Sequence, residues 1–128
     1  MTAMLPEAAP EPDEPPALPA PLAAQVELIR GQLEPAEAIE SEPLLRYVDA
    51  ALLTICEVAD VSFDLLNRVL AMRTAAEQLG QTVDQAGRAA GPDFDAAYAK
   101  AMGEFQALEA VLIHTEPSAA SRANGLSW

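Results

Sequence analysis

Few side chains in this sequence could act as a nucleophile, a base or a soft metal ligand. There is one cysteine, Cys56, and one histidine, His114. A Cys/His pair would supply a thiolate and its general base. Zinc would need several such ligands where the chain has one of each. A di-iron bundle needs Glu-x-x-His, and the residue three before His114 is Val111. The six glycines are isolated and build no phosphate-cradling loop. Cys56 is expected on the core-facing side of its helix, where a free thiol behaves as a small apolar group. His114 falls at a helix end, where its charged form favours the dipole. No catalytic residue, cofactor or metal is expected.

Carboxylates offer more. Glu57, Asp60 and Asp64 are spaced by three and four residues, which puts them on one face of a helix. They could form an acidic docking stripe or a weak cation site. The plainer alternative is a solvated outer face with Asp64 paired to Arg68, as Asp84 would pair with Arg88.

The elements that position these groups read as all-α. Residues 1–20 are rich in Pro, Ala and Glu, and such repeated proline favours an extended, disordered tail. Its PxxP spacings, Pro12 with Pro15 and Pro16 with Pro19, lack the flanking basic residue of an SH3 ligand. A short helix is predicted over residues 21–33, opened by Pro21 and carrying Leu22, Val26, Leu28, Ile29 and Leu33. From Pro43 onward, Leu45, Val48, Leu52, Ile55, Ala59, Ser62, Leu66 and Val69 repeat at alternating steps of three and four. A second stripe continues through Leu65, Val69, Met72, Ala76, Leu79, Val83, Ala86 and Ala90. The spacing predicts one continuous helix over residues 43–90, about 70 Å long, with a break at Gly80 as the alternative. Gly91-Pro92-Asp93 ends it, and Asp93 is placed to cap a last helix over residues 93–115. That last helix carries Phe94, Ala97, Tyr98, Ala101, Phe105, Leu108, Val111 and Leu112 on one face, giving an antiparallel hairpin. Residues 117–128 read as a flexible tail.

Charge narrows the partners. The 128 residues hold 20 Asp and Glu against 7 Lys and Arg, a formal net charge of −13. Such a balance disfavours nucleic acid and anionic lipid and suits a basic protein surface. The apolar stretch from Leu44 to Met72 is interrupted by six charged residues, too many for a membrane span. One cysteine permits no intrachain disulfide, and with no basic, apolar leader the expected location is cytoplasmic.

The expected function is therefore a non-catalytic helical interaction or assembly protein, an adaptor or chaperone-like subunit. The large apolar stripe predicts self-association, most simply a dimer, or docking of a helical or basic protein partner. The candidate contact residues are Leu45, Val48, Leu52, Ile55, Glu57, Asp60, Asp64 and Leu66. The alternative is an acidic inhibitor or antitoxin-like protein that neutralises a basic toxin or DNA-binding surface.

Overall fold

Pro21 stands in the first turn of the first helix, where its missing N–H is not needed. From there the computed structural model describes residues 18–125, and those residues are all-α. The elements are α1 (Ala20–Leu33), a single 3-10 turn (Ala36–Ala38), α2 (Ser41–Val58), α3 (Phe63–Ala86), α4 (Pro92–Leu112) and α5 (Ala119–Ala123). Residues 1–17, and with them most of the predicted Pro-rich tail, lie outside the described residues.

The continuous helix over 43–90 is not formed. The chain breaks at Ala59–Ser62 and folds back, so α2 and α3 become an antiparallel pair. Ser41 meets Asp84 (3.1 Å) and Asp49 meets Arg73 (3.1 Å), which fixes the direction. Two local causes act at the break. Ser62 caps α3 by accepting the Leu65 N–H at 3.1 Å, with Asp64 in the first turn favourable to the dipole. The freed carbonyls at the end of α2 are then taken up by residues 116–121. Ser118 donates its N–H to the Val58 carbonyl (2.8 Å) and its hydroxyl to the Glu57 carbonyl (3.1 Å). Ser121 adds a hydroxyl bond to Val58 (3.1 Å), and the Asp60 N–H reaches the Glu116 carbonyl (2.7 Å).

Residues 117–125 of the expected flexible tail pack against the end of α2, and residues 126–128 lie outside the described residues. Pro117 is buried and bridges Ala59, and Ser121, within the short α5, is buried. Gly80 does not break the helix. It lies buried within α3 against α2, where an added Cβ would stand 3.0 Å from the Ser41 hydroxyl. The helix ends instead at Gly87, whose φ of 75° only glycine adopts without strain. α4 then starts at Pro92, with Gly91 in the N-cap position that Asp93 was expected to fill.

α1 packs on α2, α2 on α3 and α3 on α4, and α1 closes the ring against α4. The closure is largely polar. Arg30 of α1 donates to Glu109 of α4 at 2.7 Å and lies 5.3 Å from the centre of the Phe105 ring. That hydrogen bond raises the Arg30 pKa above its ordinary value, against the opposing effect of burial, with the charges of Glu109, Glu27 and Glu34 adding to the rise. Tyr98 donates to the Leu33 carbonyl at 2.8 Å, satisfying an orphan acceptor at the end of α1. Inside the ring sit Leu22, Val26, Ile29 and Leu33 of α1, Leu44, Val48 and Ile55 of α2, Met72 and Leu79 of α3, and Phe105 and Leu108 of α4, all fully or nearly fully buried.

Three stability outcomes follow from these contacts, each read by urea denaturation. Ser118→Ala removes both an α5 cap and a bond to α2, and is expected to lower stability by about 1–2 kcal/mol. Gly80→Leu drives bulk into Ser41 and Leu45 and is expected to lower it by about 1–3 kcal/mol. The Arg30→Met and Glu109→Gln pair should show a coupling of about 1 kcal/mol in a double-mutant cycle, shrinking with added salt.

Candidate protein-docking face

The fold-back sends one side of the predicted stripe inward. Val48, Leu52 and Ile55 are buried between the helices, and Leu45 is half-buried beside Gly80. They are core residues here and not an accessible contact surface. The observation that called for a second copy is thereby removed, because α1 and α3 cover what the long helix would have left bare.

The carboxylates are likewise separated. Glu57 stays on α2, exposed. Asp60 falls in the turn and Asp64 in the first turn of α3. The last two line a cleft of about 490 Å³ with His114 and Glu116, at the end of the bundle where α3 meets the C-terminus of α4. Glu57 is not among that cleft's lining residues, so the three do not form one stripe. Among the described residues, no group of three or more His, Cys, Asp or Glu side chains is placed to hold a metal ion.

Of the named contact residues only Leu66 is both apolar and exposed, at 41%. It belongs to a cluster that the heptad reading missed. Phe63 and Leu70 flank it on α3 at spacings of three and four, and they are 78% and 51% exposed. Across the groove on α2 stands Leu53, 66% exposed. Between the two helices a cleft of about 240 Å³ is lined by Leu52, Leu53, Cys56 and Val69, with Asp49 and Arg73 closing one end. The available signal was breadth. The runs ALLTIC and FDLLNRVL hold more apolar residues than one buried stripe can absorb.

Cys56 therefore lines this outer cleft, half-buried, where the sequence had placed it in the core. His114 lines the other cleft, so the two nucleophile-and-base candidates are not brought into one site. Burial pushes the Cys56 thiol pKa up, which keeps the thiol protonated near neutrality.

Among the described residues, no helix is long and apolar enough to cross a membrane. Compared with family models, curated proteins and solved structures, the chain matches none.

Alkylation of Cys56 by iodoacetamide in the folded protein is expected to run slower at pH 7.5 than that of a free cysteine. The rate should keep rising with pH beyond the point where the free thiol levels off. A rate equal to that of free cysteine at every pH would contradict the burial effect.

Proposed function

We propose that the protein is a non-catalytic interaction module, an adaptor or chaperone-like subunit working in the cytoplasm, and that it binds other protein through the outer α2/α3 face. One observation carries the reading: Phe63, Leu53 and Leu70 are the most exposed large apolar side chains among the described residues, with Leu66 on the same helix as two of them, and Leu53 lines an apolar cleft between α2 and α3. Exposed apolar side chains grouped on neighbouring helices mark sites of protein interaction, and a face one helix pair wide suits a single helix better than a globular interface of roughly 800 Å² per partner. The single unpaired Cys56 fits a reducing compartment.

The acidic-inhibitor alternative draws on the net charge of −13 and on the Asp60, Asp64 and Glu116 end of the bundle. The two readings use different surfaces. A photo-reactive residue at position 53 or 70, expressed in host cells, is expected to give a discrete adduct that the same residue at Gln106, on the exposed side of α4, does not give. Adducts from position 114 and none from 53 or 70 would favour the inhibitor reading. No position-dependent adduct would count against both.

A further inference from the structure

On the reading that the outer α2/α3 face is a docking surface, we infer that its occupant is a cationic amphipathic helix of another protein. The shape comes first. The groove runs between two antiparallel helices, with Leu52, Leu53 and Cys56 on one wall and Val69 on the other, and Leu66 and Leu70 stand exposed near Val69 on α3. A groove of this form accepts a single helix laid along it, its apolar side down.

The rim then selects the charge. Leu53 has Asp49 one turn before it and Glu57 one turn after, and Glu77 lies two turns beyond Leu70 on the same face of α3. Two cations share this face. Arg73 is neutralised by Asp49 at 3.1 Å, and Arg46, two turns before Leu53, lies over the Tyr47 ring. Glu57 and Glu77 have no ion-pair partner among the described residues. A second copy of the chain would bring the same rim and another net charge of −13 against it. A helix with lysine or arginine flanking an apolar stripe meets both demands, with the stripe supplying affinity and the flanks supplying attraction and register.

The test uses the full chain and three fluorescent peptides of about 18 residues, five helical turns. One is an amphipathic Leu/Lys helix, one its Leu/Glu counterpart, and one a scrambled Leu/Lys sequence with no apolar face. The amphipathic cationic peptide is expected to bind one to one by fluorescence anisotropy, and the other two to bind about tenfold more weakly or not at all. Leu53→Ser with Leu70→Ser should weaken binding about tenfold or more and leave the circular dichroism melt in place, since both residues are exposed. Glu57→Gln with Glu77→Gln should weaken binding and flatten its dependence on salt.

Equal binding of the scrambled and amphipathic cationic peptides would overturn the proposal in favour of simple polyanion attraction. Sedimentation velocity that reveals a dimer dissolved by Leu53→Ser and Leu70→Ser would also overturn it. The groove would then belong to a second copy, and the docking reading would stand. If no peptide binds the monomer while residues 53 and 70 still cross-link in cells, the cationic-helix inference fails alone. If those cross-links are absent too, it fails together with the reading it rests on.

Discussion

The carbonyls at the C-terminus of α2 are the constraint on which the rest of the bundle depends. A helix end leaves acceptors that need donors, and at the end of α2 residues 116–121 supply them from the protein itself. Ser118, through both its N–H and its hydroxyl, and Ser121, through its hydroxyl, converge on Glu57 and Val58. With that end satisfied, the chain can turn at Ala59–Ser62 and lay α3 along α2. The C-terminal segment of the described chain is thus tied to the turn between α2 and α3 in mid-chain, where α3 and α4 begin the second half of the ring.

Folding back also explains the division of the apolar residues. A 70 Å helix would have needed another chain to cover Leu44, Val48, Ile55 and their neighbours. The four-helix ring covers them with α1 and α3, and it uses small residues to bring the helices close. Ala51, Ala75, Ala76 and Gly80 are all buried, and Gly80 lets the start of α2 approach α3 to within a hydroxyl's width. Among the side chains left exposed, Leu53 stands on α2 and Phe63, Leu66 and Leu70 on α3.

Charge is distributed to match. Three of the seven cations tie helices together: Arg30 to Glu109, Arg68 towards Glu104 at 3.6 Å, Arg73 to Asp49. One Glu104 carboxylate oxygen is buried and lacks a hydrogen bond, so Arg68 acts there through charge at a distance longer than a hydrogen bond. With these three arginines committed to interhelix contacts and 20 Asp and Glu against 7 Lys and Arg, surplus carboxylates such as Glu57 and Glu77 are left on the surface.

Local rules in the sequence determined a good deal. The 3.6-residue period identified most of the buried faces of α1 and α4, with Leu28 exposed and Ala97, Tyr98 and Val111 only partly buried, and the stripe from Leu65 to Val83 is the buried face of α3. Those assignments depend on side chains three and four apart on one helix, which the sequence displays directly. The break at Ala59–Ser62 was a different matter. A four-residue turn happened to preserve the alternation of threes and fours, so Ala59 and Ser62 read as heptad positions. The polar Ser62 within an apolar stripe was the only local sign of a cap. Its decisive partners, Ser118 and Ser121, lie some sixty residues away, and no periodicity reports a contact of that range. The candidate site shared that fate. That this chain is helical, acidic and poor in catalytic side chains follows from composition and spacing alone. Which of its leucines are core and which remain exposed was decided by the direction in which α3 returns, because the same helical face is buried or bare depending on what packs beside it.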